Sequence, residues 1–133
     1  MEKKDRVKLA KEMIRKAKDK LESAWILFQN SKFEDAVSRA YYAVFFAASA
    51  VLYLLGEMPR SHDGLVHLFG LKVVEGKLTD KKYGRILSRL REARESSDYS
   101  LYAFFEKEEV LSLLNDAEAF IKEMEKLVDS MGL

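Results

Sequence analysis

The sequence predicts an all-α protein, an up-and-down bundle of about five helices forming a single domain over residues 1–133. Three observations lead there. Apolar residues recur at three- and four-residue steps through stretches that are otherwise charged, which is the period of an amphipathic helix. Helix-start and helix-stop residues separate those stretches. No alternating strand pattern, internal repeat or low-complexity tract interrupts them.

The first helix carries Leu9, Met13, Ala17, Leu21, Ala24, Trp25 and Phe28 on one face, with Lys, Arg, Glu and Asp crowding the others, the pattern of an outer helix. Ser31 and Glu34 stand at capping-box spacing, so the second helix is expected to begin there, with Gly56 as its stop. Its stretch from Ala40 to Leu55 is apolar nearly all round, which predicts burial on several sides. These 16 residues rise only about 24 Å as a helix, short of a typical hydrocarbon core, so no membrane association is expected. Ala36, Ala40, Ala43, Ala47 and Ala50 form a small-residue stripe suited to close helix packing; internal packing is preferred to a dimer seam. After the break at Met58-Pro-Arg-Ser61, Ser61 caps a third helix from His62 to about Glu75, with Gly70 weakening its middle and Gly76 ending it. Thr79 and Asp80 open the fourth helix, and Ser96 to Phe105 reads as a polar and aromatic connection. From about Glu106, Val110, Leu113, Leu114, Ala117, Phe120, Ile121, Met124, Leu127 and Val128 trace the last helix, with acids near its start where the helix dipole favours them.

Composition narrows the function. A chain of 133 residues with 48% hydrophobic and 34% charged residues can bury one real core. The formal net charge of +1 supplies no bulk field for nucleic acid, so any such contact must come from a local patch. No cysteine is present, which excludes disulfides, thiolate zinc sites and cysteine nucleophiles. The opening Met1-Glu-Lys-Lys-Asp-Arg6 has no apolar run behind it, so a cytoplasmic protein is expected. Phosphate-binding, dinucleotide and zinc-protease motifs are missing, and no cofactor is expected. His62 and His67 are five residues apart and share a helical face poorly, so no metal pair is expected and His62 reads as a helix-start residue.

The most informative position is Arg94. Tyr83, Ile86, Leu87, Leu90 and Ala93 define a buried stripe on the fourth helix, and Arg94 falls roughly 40° from Leu90, between Tyr83 and Leu87. Arg85 and Arg89 lie on the other side, where charge reaches water. Arg91, Arg94 and Asp98 share one flank. Arg39 heads the apolar second helix, and Tyr42, Phe46, Ser49 and Tyr53 continue from it at helical steps. Together these residues suggest a cleft in which arginines grip a phosphate and tyrosines stack a base or donate a hydrogen bond. The competing structural reading is an Arg94–Asp98 ion pair that ties the helix end to the loop.

Ser38-Arg-Ala-Tyr-Tyr-Ala-Val-Phe45, then Ser61-His62, then Arg94-Glu-Ser-Ser-Asp98-Tyr99, and finally Ala117-Glu-Ala-Phe-Ile121 resemble the HEPN-domain family in order and spacing over nearly the whole chain. The resemblance implies a helical bundle, commonly a homodimer, often encoded beside a minimal nucleotidyltransferase with which it forms a toxin–antitoxin pair. Many such proteins are metal-independent ribonucleases whose motif is an arginine followed a few residues later by a histidine. Arg94 matches the arginine, but Asp98 stands nearest the histidine's place and no histidine follows His67. An ordinary aspartate is almost wholly ionised near neutral pH and cannot donate a proton there. Tyr99 falls where related toxins carry a tyrosine that the partner nucleotidyltransferase modifies.

The expectation is therefore a dimeric module that binds a nucleotide or RNA through Arg39, Tyr42, Arg91, Arg94 and Tyr99 and works with a minimal nucleotidyltransferase. The alternatives are a metal-independent endoribonuclease toxin with Arg94 and Asp98 as catalytic residues, and a purely structural adaptor. Arg94 and Asp98 opening into a groove between two chains favours binding, whereas the same pair sealed inside one subunit with no cleft beside it favours the adaptor.

Overall fold

Helix α2 (Phe33–Leu54) runs through the middle of the molecule, and its composition explains why. Twelve of its residues are buried, because α1 (Lys3–Gln29), α4 (Lys81–Tyr99) and α5 (Lys107–Met131) all pack against it. Between α2 and α4, the short α3 (His62–Leu68) continues directly into a π-helical segment, Phe69–Val74. The computed structural model describes residues 2–99, 101 and 104–132, and of Tyr99 the backbone alone. No strand occurs among the described residues, and the architecture is the all-α bundle that the periodicity predicts.

The alanine stripe is consumed inside one chain. Ala36, Ala40, Ala43, Ala47 and Ala50 are all fully buried, which lets neighbouring helices approach α2 closely. α2 is long and apolar enough to cross a membrane by length and composition, yet 61% of its most apolar window is buried against other parts of the protein. Tyr41 and Leu52 of α2, with Phe69, Phe120, Leu65, Leu87 and Leu90 from the other helices, are among the largest fully buried side chains. Fully burying a side chain of this size contributes about 1.5–3 kcal/mol relative to exposure.

Several local expectations are met and others corrected. Ser61 caps α3, accepting a hydrogen bond from the Gly64 amide at 2.9 Å. Gly56 stops α2 at φ +80°, a conformation that glycine adopts without strain, while the Glu57 amide reaches back to the Leu52 carbonyl. Asp80 caps α4 by accepting from the Lys82 amide, whereas the Thr79 hydroxyl instead donates to Glu123 on α5.

The Ser31–Glu34 capping box does not form. Ser31 adopts φ +59° and closes the end of α1, with the Lys32 amide bonded to the Leu27 carbonyl, so α2 starts at Phe33 without a side-chain cap. The third helix does not run to Glu75 as an α-helix but widens into the π form at Phe69, where the Glu75 amide bonds to the Gly70 carbonyl five residues back. The stretch from Ser96 to Tyr99 belongs to α4 rather than to a connection. Arg91–Glu95 and Arg94–Asp98 are both i,i+4 ion pairs, which favour continued helix there. Arg89 reaches water as expected, with 41% of its side chain exposed, and pairs there with Asp116 of α5 at 2.6 Å.

Candidate functional site

The site begins with two consecutive tyrosines on α2. Residues one step apart on a helix point about 100° from each other, so Tyr41 faces the interior and is fully buried while Tyr42 looks outward and is half-buried. Their rings meet edge to face at 5.5 Å. Helix α4 then lays Arg94 over both: its guanidinium carbon lies 5.4 Å from the Tyr41 centroid and 4.9 Å from the Tyr42 centroid. Arg94 Nη2 donates to the Tyr42 hydroxyl at 2.8 Å and pairs with Asp98 at 3.0 Å. Only 20% of the Arg94 side chain is exposed, and its Nε is buried with no hydrogen-bond partner among the described residues. An unpaired buried donor costs about 1–3 kcal/mol, so pairing with Asp98 alone is an incomplete explanation for this arginine.

Arg94 opens onto a groove. A concavity of about 480 Å³ is lined by Leu27 of α1, by Asp35, Ser38, Arg39 and Tyr42 of α2, and by Arg94. Arg39 is exposed at its rim. The expected residues Arg39, Tyr42 and Arg94 are thus brought together, with Asp98 bound to the same guanidinium. Arg91 is turned aside. It lines a neighbouring groove with Asp63, Ser88, Glu92 and Glu95, bonds to Asp63 of α3, and pairs with Glu95 at 2.8 Å. Burial works against the Arg91 charge, but Asp63 and Glu95 outweigh it and hold its pKa above the ordinary arginine value. With two carboxylates on it, Arg91 has less charge to offer a ligand than Arg94. The Tyr99 side chain lies outside the described residues.

Two members of the site escape a reading by spacing. The Tyr41 hydroxyl is bonded to Nδ1 of His62, and the two rings stack with centroids 5.5 Å apart and an interplanar angle of 27°. Phe45 and Tyr42 flank the same imidazole at 5.1 and 6.5 Å. Burial pushes the Tyr41 phenol up to about 12, against the opposing pull of Arg91 and Arg94. Burial, followed by the positive charges of Arg94 and Arg91, holds the His62 imidazole below its ordinary 6.5, with Glu95 and Asp63 pulling the other way. His62 is therefore neutral near pH 7 and anchored at one nitrogen. Its hints in the sequence are its place beside Ser61, after a break that turns α3 back onto α2, and the Ser61-His62 pair among the segments of the resemblance.

Chemically, the arrangement offers a restrained guanidinium at a groove, a second arginine lining the same groove, an aromatic hydroxyl bonded to the first, and a neutral imidazole on the adjoining ring. A guanidinium is suited to bidentate hydrogen bonding with phosphate oxygens. Among the described residues, no group of three or more histidines and carboxylates is arranged to hold a metal ion.

Comparison with known proteins gives this constellation a family. The family model described as HEPN domain matches residues 10–127. A protein of Methanocaldococcus jannaschii named "Putative toxin" is 37% identical over 114 residues, covering 86% of this chain and 84% of its own. A UPF0332 protein of Thermotoga maritima is 32% identical over 117 residues, covering 88% and 89%. Another UPF0332 protein, from Archaeoglobus fulgidus, is 34% identical over 116 residues, covering 87% and 92%. The matched region runs from within α1 to within α5 and includes both tyrosines, His62 and Arg94. This chain belongs to the HEPN domain family.

Proposed function

We propose that this HEPN protein is a toxin-like, cytoplasmic module that binds RNA or nucleotide phosphate at Arg94, acts as a homodimer, and works with a minimal nucleotidyltransferase. One observation carries the binding part: Arg94 is held on the faces of Tyr41 and Tyr42 at the mouth of the groove that Arg39 rims. An arginine sealed inside the bundle would favour an adaptor, and this one lines an open concavity. The toxin-like part is supported by the relative from M. jannaschii and its name. The dimer and the nucleotidyltransferase follow from the family pattern.

Anisotropy with labelled single-stranded RNA and with mononucleotides tests the binding. Arg94→Ala is expected to weaken binding at least about tenfold, the effect of losing one charge-assisted hydrogen bond. Equal binding by both proteins, or none by either, removes Arg94 from the role. Sedimentation of the protein alone, and then mixed with a minimal nucleotidyltransferase, tests the two assembly claims.

A further inference from the structure

Arg6, near the start of α1, shares with Arg94 a buried Nε that has no hydrogen-bond partner among the described residues. No ion pair or hydrogen bond engages its terminal nitrogens among those residues either. The guanidinium rests on the glycine that stops α2. A Cβ at Gly56 would lie 3.1 Å from Arg6 Nη1, an approach that any side chain there would crowd. Beside it is a cavity of about 180 Å³, lined by Arg6 and Leu9 of α1 and by Tyr53, Gly56 and Met58 at and just beyond the end of α2. Among the described residues it shares none with the groove at Arg94, and Tyr53 stands roughly 17 Å from Tyr42 along the α2 axis.

The end of α2 does not by itself account for this arginine. A cation is favoured near a helix C-terminus, which draws Arg6 there. The terminus nevertheless closes on its own amides: Gly56 donates to the Tyr53 carbonyl at 3.0 Å, and Glu57 to the Leu52 carbonyl at 2.9 Å. Glu57 turns its carboxylate to Lys72 at 3.8 Å. No acidic residue is among the described residues that line the cavity. The Nε has thus lost water without gaining a protein acceptor, and the guanidinium is fixed in place before any ligand arrives.

We infer that this cavity binds a small organic carboxylate, a second ligand site separate from the one at Arg94. The class follows from the lining. The terminal nitrogens of a guanidinium match the two oxygens of a carboxylate. Leu9, Met58 and the Tyr53 ring offer apolar walls for a short hydrocarbon body, and Tyr53 adds a hydroxyl that no other described residue engages. The volume equals that of about six water molecules, so a short-chain acid fits where a nucleotide does not. Because its lining joins the start of α1 to the end of α2, a bound carboxylate stabilises the fold by mass action.

The test is calorimetric titration of the full chain with pentanoate, pentanamide and inorganic phosphate at matched ionic strength, with thermal melts on the same samples. Pentanoate is expected to bind saturably at one site and to raise the melting temperature by roughly 5 °C at a tenfold excess over its dissociation constant. Pentanamide keeps the body without the charge, and phosphate keeps the charge without the body; each should bind at least about tenfold more weakly. Arg6→Met should lose at least about tenfold in pentanoate affinity while melting, without ligand, within about 4 °C of wild type, because the unpartnered Nε leaves with the charge. Arg6→Lys, which keeps the charge without the planar fork, should also bind more weakly, and it carries the comparison if Arg6→Met does not fold. Absence of saturable pentanoate binding, equal binding of pentanamide or phosphate, or wild-type affinity in the Arg6 variants overturns the assignment.

Discussion

Replacing Arg94 with methionine separates a functional arginine from a structural one. Methionine fills a similar apolar volume without charge. On the debit side, the variant loses two cation–π contacts, each about 0.5–1 kcal/mol at a partly exposed site. It also loses the bond to the Tyr42 hydroxyl, about 1–2 kcal/mol, and a partly screened i,i+4 pair with Asp98, about 0.3–0.5 kcal/mol. Against this, it removes the buried Nε that has no partner among the described residues, a relief of about 1–3 kcal/mol. The two sides nearly cancel. A net destabilisation of about 1 kcal/mol is expected, which lowers the melting temperature by about 4 °C for a domain of this size. RNA affinity should meanwhile fall about 10- to 100-fold. Differential scanning calorimetry and anisotropy on the same preparations measure both. A melting temperature lower by more than about 12 °C with unchanged RNA affinity would refute the reasoning, because Arg94 would then be a tie between α2 and α4 and nothing more.

Other consequences follow from the same contacts. Tyr41→Phe removes the partner of His62 Nδ1 and keeps the ring stack, so it should cost about 1 kcal/mol in urea denaturation; an unchanged midpoint would show that the hydrogen bond adds nothing net to stability. Because folding depresses the His62 pKa below 6.5, the unfolded chain binds more protons just below that pH. The stabilisation is complete above 6.5 and is lost as pH falls through that value toward the folded pKa, so wild type should lose stability relative to His62→Gln on acidification, as followed by thermal melts. Phe120→Ala empties a site between Phe69, at 5.4 Å, and Tyr83, at 6.4 Å, and should cost about 3–5 kcal/mol in urea denaturation. Gly56→Ala places a side chain at φ +80° and should cost about 1 kcal/mol in the same assay; a neutral result would show that the α2 stop tolerates a different conformation.

Much of the bundle was legible because its helices bury one face at a regular period. Leu87 and Leu90 are fully buried, as the stripe on α4 requires, and the alanines of α2 are buried as internal packing requires. What spacing misjudged was backbone geometry at the ends. Ser31 carries capping-box chemistry but occupies a left-handed conformation that a helix-capping residue does not use, so the α1 stop prevailed over the α2 start. Ser96 to Asp98 looked like a loop by composition, yet two ion pairs at i,i+4 run with the helix. The π-helical turn at Phe69 left no periodic signature, since one widened turn shifts the phase of only a few residues.

The site divides along the same line. Arg94 with Asp98 was readable because both lie on one helix at a fixed interval. Arg39 and Tyr42 were readable as a face of α2. His62 was not, because its meeting with Tyr41 depends on how the break at residues 58–61 folds α3 back, and that return has no period. The same holds for Arg91, whose charge is engaged by Asp63 from across that turn.

The central claim is that Arg94 meets a phosphate. The salt dependence of RNA binding tests it most directly, with log affinity plotted against log salt concentration for wild type and Arg94→Gln. The loss of one phosphate contact should reduce the slope by about 0.7 in magnitude. Parallel lines, with or without a vertical offset, would mean that Arg94 touches no phosphate and would contradict the claim.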